Sequence, residues 1–450
     1  MKTFAIKIFF KIKKIIKQSL IQIRKWLLKP VIWQLDQHES ALKILSDANF
    51  RMRATLKRAV NKRINVLFVC HEPALWSMFE TVYNAMSEDQ AFNPLVVVLP
   101  YRHWTLPEGH YKDAGMLEVC KLRKIKAISG HDKEKNEWLN PVSLMPDYVF
   151  FQTPYNIFSS EWSAKNISLM ARVCYIPYAT CLFEGEVEDI LHPASFFENV
   201  RFVFKENLLS YNQFLGRFQK ESWLNHVKVI LCGHPKLDYL NGDNNLIGKM
   251  FRRGARNDIK RILWTPRWNT SEGNCHFFDY KDFFFLFCKE HQNVDFTFRP
   301  HPLCLQNFLQ TGELTESDLK LMEIDFQESR NMNLDREADY HDTFFTSDIL
   351  VSDTSSMMLE YFGTGKPIVY THRIDVFNEL GRKLAEGFYW VNNATELKAT
   401  LEMLISGNDP LRDKRKELAA EVLFLPKEGS GSYIRKLIRE DFYENVYNSI

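Results

Sequence analysis

The sequence lacks the cysteine spacing of a metal site or a disulfide framework. Its eight cysteines are scattered through 450 residues, and no two of them form a CxxC pair. Zinc sites and disulfide scaffolds need cysteines at short, regular spacing. Several of these thiols fall in apolar stretches such as NVLFVC, where a free thiol behaves as a small hydrophobic side chain. We therefore expect free thiols, as in a reducing cytoplasm.

The sequence also lacks the two familiar phosphate-binding loops. No GxGxxG follows the first predicted strand, where the sequence is CHEPALWSMFE, and no GxxxxGK[ST] occurs anywhere. A dinucleotide site and a P-loop both depend on those glycines, because the backbone must approach the phosphates closely. These absences argue against an NAD-dependent enzyme and against an ATPase.

Residues 1–35 contain no acidic side chain. They carry nine lysines and arginines, and since the whole chain has a net charge of +2, the remaining residues together carry −7. The basic character is therefore local, and we expect no nucleic-acid-binding surface. Lysines interrupt every apolar run, so the segment cannot cross a bilayer, and no signal-peptide cleavage pattern follows it.

The same residues have the pattern of an amphipathic helix. Ile8, Ile12 and Ile15 recur at helical spacing with lysines between them, and Pro30 follows as a stop signal. A cationic amphipathic helix suits the surface of an anionic leaflet. We predict that residues 1–35 form such a helix and that residues 1–29 bind anionic membranes; the alternative is a helix packed on the body of the protein.

The remainder is predicted to fold as two α/β domains, because 450 residues exceed one ordinary core. Residues 36–63 indicate a charged helical connector. Short apolar runs then alternate with longer helical patterns, as in parallel sheets. The polar stretch NGDNN separates a first domain over 64–245 from a second over 246–450. Strands are predicted at 64–70, 94–100, 146–152, 171–178, 200–206, 228–233, 261–266, 294–300, 348–353 and 367–371.

Four polar segments follow predicted strands, where ligands of open α/β sheets bind. In order along the chain they are GHPKLD at 233–238, TPRW at 265–268, RPHPL at 299–303 and VSDTSS at 351–356. From the residues alone, these segments indicate an α/β transferase that handles phosphate groups.

These segments resemble the CDP-glycerol glycerophosphotransferase family, which builds teichoic-acid and capsule polymers. The family carries a GxPRxD-like segment, an APT-type strand end with a nearby arginine, an RxHP motif, and an SDxSS motif ahead of an acidic residue and a Pro-Ile strand. The order and spacing match across residues 230–371. The resemblance implies a GT-B fold, with two Rossmann-like domains facing a cleft, and a CDP-activated polyol donor.

Within this resemblance, the paired serines are predicted to bind the donor diphosphate. Ser355 and Ser356 lie where a strand turns into a helix, so hydroxyl and backbone N–H groups there would hold a phosphate without a metal. Asp353 precedes them in the same donor-binding motif. No DxD-like cluster is present, so we expect neither a metal nor a cofactor. The alternative for the serines is helix capping.

His301 is the predicted catalytic residue. Negative charge grows on the departing nucleotide monophosphate, and an imidazole beyond the strand end would donate to it or protonate it. Arg267 and Arg299 are predicted charge partners of the phosphates, because guanidinium groups match phosphate oxygens. Arg299 has the alternative of pairing with a carboxylate inside the core. Glu360, one helical turn further on, is predicted to accept from the ribose hydroxyls.

One family feature is missing from the first domain. Members carry a WHGT-type segment whose histidine acts on the acceptor hydroxyl, whereas the corresponding residues here are CYIPYAT. The general base is therefore unassigned, with His71, Tyr175, Tyr178 and Glu184 as candidates.

Three functions follow as expectations. The first is transfer of glycerol phosphate, or a related polyol phosphate, from a CDP donor to a lipid-linked or polymeric acceptor at the cytoplasmic face of a bacterial membrane. The second is a GT-B glycosyltransferase that uses a nucleotide sugar such as CMP-sialic acid. The third is a non-catalytic relative that binds the nucleotide without turnover.

Overall fold

The computed structural model describes residues 38–444, except 39, 61, 104–105, 108, 181, 185–190, 242–245, 254–257, 338 and 373. The predicted basic helix over residues 1–35 lies outside the described residues. No helix in the described ranges is long and apolar enough to cross a bilayer.

The first half of the body is a seven-stranded sheet in the order β3-β2-β1-β6-β7-β8-β9, with every pairing parallel. A separate hairpin pairs β4 with β5. The strands are β1 Ile64–Cys70, β2 Phe92–Val98, β3 Ala127–Ser129, β4 His131–Asp132, β5 Glu137–Trp138, β6 Tyr148–Phe151, β7 Arg172–Tyr175, β8 Phe202–Lys205 and β9 Lys228–Leu231.

The second half is a six-stranded sheet in the order β12-β11-β10-β13-β14-β15, again parallel throughout. Its strands are β10 Lys260–Thr265, β11 Val294–Phe298, β12 Met332–Leu334, β13 Ile349–Ser352, β14 Ile368–Tyr370 and β15 Tyr389–Trp390.

Helices connect the strands of both sheets. They are α1 at 40–59, α2 Glu80–Ser87, α3 Met116–Leu122, α4 Ala164–Ser168, α5 Ala194–Phe197, α6 Leu208–Phe218, α7 Phe277–Glu290, α8 Cys304–Thr311, α9 Glu316–Glu328, α10 His341–Thr346, α11 Met357–Phe362, α12 Glu379–Ala385, α13 Ala394–Ile405, α14 Arg412–Val422 and α15 Ser430–Glu444.

Both sheets are covered on two faces, which explains their continuous apolar strands. In β1, every residue except Asn65 is buried, and in β11 all five residues are buried. Phenylalanine fills both cores, as in the stack of Phe150 between Phe68 and Phe204 at centroid distances of 5.1 and 6.1 Å. The abundance of aromatic residues is therefore a packing feature.

The last helix returns to the first sheet. Ile434, Ile438 and Phe442 of α15 lie in the core of that sheet, and the hydroxyl of Tyr148 donates to Asp441 at 2.7 Å. The sequence interpretation placed residues up to 450 in the second domain. The structure differs because the apolar face of α15 is complementary to α2 and the first core, which a strand-by-strand prediction does not reveal.

Residues beyond the strand ends of the two sheets meet each other. Lys236, after β9, pairs with Glu360 in α11 at 3.0 Å. The Ser77 and Tyr340 hydroxyls, which follow β1 and β12, lie 3.5 Å apart. The carboxyl edges of the two sheets therefore face one another, and this seam is where a ligand between the sheets would bind.

Candidate active site

The predicted donor residues lie along the carboxyl edge of the second sheet. Arg267 follows β10, His301 follows β11 and Asp353 follows β13, and these three strands are neighbours in the order β11-β10-β13. The edge therefore brings together segments that are far apart in sequence, as expected for parallel strands.

Asp353 connects two of these segments. Its side chain is 1% exposed and accepts from the backbone N–H groups of Arg267 at 2.5 Å and His276 at 3.1 Å. Burial raises the pKa of Asp353 to about 7, although both backbone donors favour the charged form. Its contacts are with the protein, so Asp353 positions the loop after β10 and the start of α7.

Ser355 and Ser356 lie at the start of α11. Ser356 is the residue that precedes the helix, and the hydroxyl of Ser355 accepts from the N–H of Met357 at 3.3 Å. Both serines are partly exposed, so each hydroxyl borders the edge where the phosphate was predicted. The Ser355 hydroxyl therefore serves the start of the helix, whereas the Ser356 side chain makes no capping hydrogen bond.

His301 is at the rim of the same edge. Its Nδ1 accepts from the backbone N–H of Leu303 at 3.2 Å, which leaves Nε2 as the donor of the neutral ring. The ring lies against Trp268 with centroids 6.0 Å apart. The side chain of His301 is exposed at the surface, but loss of hydration beneath it, together with the charge of Arg267, lowers its pKa to about 4. His301 is therefore a neutral hydrogen-bond donor near pH 7.

Both predicted arginines already have carboxylate partners. Arg267 binds Glu272 through Nε at 2.8 Å and through a second nitrogen at 2.7 Å. Arg299 pairs with the buried Asp335 at 2.7 Å and donates to the carbonyl of Glu337. The structure therefore contains the alternative given for Arg299, which was pairing with a carboxylate. The partly exposed Arg267 is the better placed of the two for a phosphate.

Glu360 lies in the seam between the sheets. One carboxylate oxygen accepts from Lys236 at 3.0 Å, and the other accepts from the hydroxyl of Tyr340 at 2.6 Å. Lys236 also donates to the carbonyl of Tyr178. Burial opposes ionisation, but the charges of Lys236 and His234 outweigh it and hold the pKa of Glu360 below its ordinary value. Both oxygens are engaged in joining the two sheets, so a ribose hydroxyl would have to compete for them.

The sequence interpretation missed a histidine pair beside the serines. His276, before α7, places Nε2 3.0 Å from Nδ1 of His372, which follows β14, and its Nδ1 pairs with Asp279 at 2.7 Å. The two histidines are 96 residues apart. No motif joins them, so only the strand order of the sheet could have revealed this pair.

The four candidate bases of the first domain have different environments. Tyr175 is buried against phenylalanine rings, the Tyr178 hydroxyl lies 2.7 Å from that of Tyr155, and Glu184 pairs with Arg382 on the surface. Burial lowers the pKa of His71 to about 3, and its Nδ1 has no hydrogen-bond partner among the described residues.

A buried carboxylate that the sequence interpretation did not select lies nearby. Glu206 follows β8, is 1% exposed, and its Oε2 has no partner in the described part of the chain. It lies close enough to His234 for its charge to favour the protonated imidazole, although burial and the charge of Lys236 lower the pKa of His234 overall. The neighbouring Asn207 Nδ2 and the Thr153 Oγ1 after β6 are likewise buried and without a partner in the described ranges.

Such atoms are uncommon in native proteins, because a buried polar atom without a partner costs about 1–3 kcal/mol. Here four of them, on His71, Thr153, Glu206 and Asn207, follow strands β1, β6 and β8 at the carboxyl edge of one sheet. Their common position indicates a polar site that a ligand completes. Across the described ranges, no group of three or more His, Cys, Asp or Glu side chains has the arrangement of a metal site.

Comparison with known proteins finds a family similarity over part of the chain. Residues 193–385 match the model of CDP-glycerol:poly(glycerophosphate) glycerophosphotransferases. No curated protein matches the chain.

Solved structures confirm the fold. The wall teichoic acid polymerase TagF has 14% sequence identity and a TM-score of 0.56, and the alignment covers 95% of this chain and 99% of that one. A putative UDP-N-acetylglucosamine 2-epimerase from Listeria monocytogenes has 11% identity and a TM-score of 0.56, with 85% and 97% covered. The Neisseria meningitidis epimerase bound to UDP-GlcNAc has 15% identity and a TM-score of 0.54, with 85% and 100% covered.

These likenesses confirm the predicted α/β architecture of GT-B type. Through residues 193–385, the chain is similar to CDP-glycerol:poly(glycerophosphate) glycerophosphotransferases.

Proposed function

We propose that the enzyme transfers glycerol phosphate from CDP-glycerol to a hydroxyl group of a lipid-linked or polymeric acceptor, as in teichoic-acid synthesis. The acceptor oxygen bonds to the glycerol-bearing phosphorus, the bond from that phosphorus to the CMP oxygen breaks, and CMP leaves. One observation carries this proposal. Arg267, His301 and Asp353 follow the neighbouring strands β10, β11 and β13, and all three lie within the segment that matches the family model.

On the donor side, Ser355, Ser356 and Arg267 would bind the diphosphate. His301 is neutral near pH 7 and would donate through Nε2 to the oxygen on which charge grows. Such a preorganised donor acts mainly in the transition state. Asp353 has a positioning role here, because it fixes the loop that carries Arg267.

On the acceptor side, the carboxyl edge of the first sheet would bind the hydroxyl group. Glu206, whose Oε2 has no partner in the described ranges, lies at that edge and would take the proton of the attacking hydroxyl, which is the role left open by the missing WHGT histidine. Because Glu206 is buried in this arrangement, the acceptor enters only when the two sheets move apart.

The location that fits this reaction is the cytoplasmic face of a membrane. The acid-free basic run in residues 1–29 would bind anionic lipid, at about 1 kcal/mol for each basic residue near the surface. Deletion of residues 1–29 should weaken binding to phosphatidylglycerol vesicles while the fold remains. Equal vesicle binding of the deleted and full-length proteins would contradict the membrane role.

Product analysis tests the chemistry. The protein is incubated with CDP-glycerol, CMP-sialic acid and UDP-activated sugars, each with a lipid-linked glycerophosphate acceptor and with excess chelator in parallel. We expect release of CMP and a phosphodiester product from CDP-glycerol, with or without chelator. A glycosidic product would favour the nucleotide-sugar alternative, and nucleotide binding without turnover would favour a non-catalytic relative.

A further inference from the structure

Helix α1 turns its charged side toward the protein. Lys57 pairs with the buried Asp147 at 2.5 Å, and Asp47 pairs with Arg172 at 2.9 Å. Arg53 donates to two backbone carbonyls of the first domain. These bonds hold α1 along the amino ends of β6 and β7, the edge opposite the cleft.

The outward side of α1 is apolar. A surface helix normally buries its apolar side chains and exposes its charges, whereas α1 buries Phe50 and Ala54 but leaves a second apolar side exposed. Leu45, Met52 and Leu56, at helical spacing, are 64%, 61% and 61% exposed. The full set of large exposed apolar residues at this helix is Leu42, Ile44, Leu45, Met52, Leu56 and Val60.

Further exposed apolar side chains flank the helix. Leu169 and Met145 are 45% and 62% exposed, and each adjoins a residue whose backbone carbonyl α1 binds. The exposed surface is therefore wider than one helix. Contiguous apolar patches of this kind on soluble proteins mark interaction sites.

We propose that this outer face of α1 lies on an anionic lipid bilayer. The charge around it identifies the partner: Arg51, Lys62 and Arg63 are exposed beside the apolar side chains, with Arg51 in an ion pair with Asp47, and the acid-free basic run of residues 1–35 precedes the helix in the sequence. A cationic rim around an apolar face is the pattern of a surface that lies in the headgroup region.

The inference rests on the peripheral location proposed above and adds an orientation to it. The amino edge of the first sheet faces the lipid, so the cleft at the carboxyl edge opens away from the bilayer surface. An acceptor chain that is attached to lipid would then have to extend around the first domain to reach the cleft. Elongated polymeric acceptors meet that requirement better than a bare lipid headgroup.

The experiment uses the full-length chain and the triple variant L45E/M52E/L56E. Because these side chains are exposed, the substitutions create no core defect, and circular dichroism verifies the fold. We expect at least tenfold weaker partition of the variant onto phosphatidylglycerol vesicles, and weak binding of both proteins to phosphatidylcholine. The matched control is L286E/L321E, which changes two leucines of the second domain that are each 62% exposed.

A second readout does not depend on the triple variant. An environment-sensitive fluorophore on Met52→Cys should shift to the blue only when phosphatidylglycerol vesicles are added. Unchanged vesicle binding of the triple variant would overturn the proposal. If the label is already shielded in the monomer without vesicles, residues 1–35 cover the outer face of α1. If the protein is a dimer that the triple variant dissociates, a second copy of the chain covers that face. Either result would also overturn the proposal.

Transferase activity separates this inference from the proposed function. The triple variant should retain wild-type turnover of CDP-glycerol with a soluble glycerophosphate acceptor. Absence of turnover in the wild-type protein would contradict the proposed function, while the vesicle measurements would still decide the membrane face.

Discussion

The carboxyl edges of the two sheets differ in how their charged groups are paired. On the second sheet, Asp353, Arg267 and Arg299 all have partners within the protein, although the buried hydroxyl of Tyr370 at the end of β14 has none in the described ranges. On the first sheet, buried atoms of Glu206 and Asn207 have no partner among the described residues. Side chains that already have partners are held in place before a ligand binds. Buried polar groups without partners instead gain hydrogen bonds when a ligand binds. We infer a preorganised donor site and an acceptor site that the acceptor itself completes.

The largest effect is expected at the unpaired edge. Glu206→Gln keeps the shape of the side chain but removes the base, and removal of a general base typically lowers kcat by about 10²- to 10⁴-fold. Steady-state kinetics with CDP-glycerol and a soluble acceptor measure this change. Affinity for CDP should stay unchanged, because the donor edge is intact.

A matched control for Glu206 is Glu198→Gln, an acidic residue that precedes β8 at the opposite end of that strand. It should retain wild-type kcat. Wild-type turnover of Glu206→Gln would remove the acceptor-side assignment and leave His71 as the next candidate.

The seam between the edges gives the second prediction. Lys236→Met leaves the carboxylate of Glu360 buried without its ion-pair partner, which should lower the free energy of unfolding by about 3–5 kcal/mol. The double variant K236M/E360Q, in which neither charge remains, should be less destabilised than Lys236→Met alone. Urea unfolding of the four proteins of this cycle measures the coupling; additive losses would contradict a direct pair.

His301→Ala tests the paired edge. Because the charge on the leaving phosphate grows toward the transition state, kcat should fall about 100-fold while CDP affinity changes little. His131→Ala, on the hairpin of the first domain, is the control and should retain wild-type kcat. A variant that loses CDP affinity and keeps kcat would show that His301 binds the ground state.

The pKa of His301 also predicts how kcat/KM depends on pH. With a pKa of about 4, His301 is already neutral in the free enzyme from pH 8 down to pH 5, so its titration should not reduce kcat/KM in that range. A protonated, positively charged His301 as the active form would instead require kcat/KM to rise steadily as the pH falls from 8 to 5.

Local patterns were sufficient for the longer strands. Strand β1 was predicted at residues 64–70, which are its observed bounds, because six of its seven residues are apolar. Strands β3, β12 and β15 and the hairpin β4-β5 were missed, since two or three residues cannot form a recognisable pattern. The places of β3, β12 and β15 are set by pairing with β2, β11 and β14.

Long-range partners explain what the sequence could not reveal. Residues 36–63 were interpreted as a charged helical connector without partners for its charges, but Lys57 and Asp47 of α1 bind residues 90 and 125 positions away. Glu360 was assigned to the ribose on motif position, and its partner Lys236 lies 124 residues earlier. Charged residues look alike in sequence whether they face water or a partner, so only the fold distinguishes the two.

The smallest effect is expected at the paired serines. Each hydroxyl would contribute one hydrogen bond to a charged phosphate oxygen, so Ser355→Ala and Ser356→Ala should each weaken CDP binding by about tenfold, at the lower end of the 1.5–3 kcal/mol of such bonds. Calorimetric titration with CDP measures this loss of affinity, and kcat at saturating donor should change little.

The two serines also differ in their contribution to helix α11. Ser355 accepts from the backbone of Met357, so its loss also removes a bond at the start of α11, whereas no such bond involves the Ser356 side chain. Ser355→Ala should therefore lower thermal stability slightly as well as CDP affinity, and Ser356→Ala should lower affinity alone. If both variants lose stability but bind CDP as the wild type does, the serines are helix caps and the diphosphate lies elsewhere on this edge.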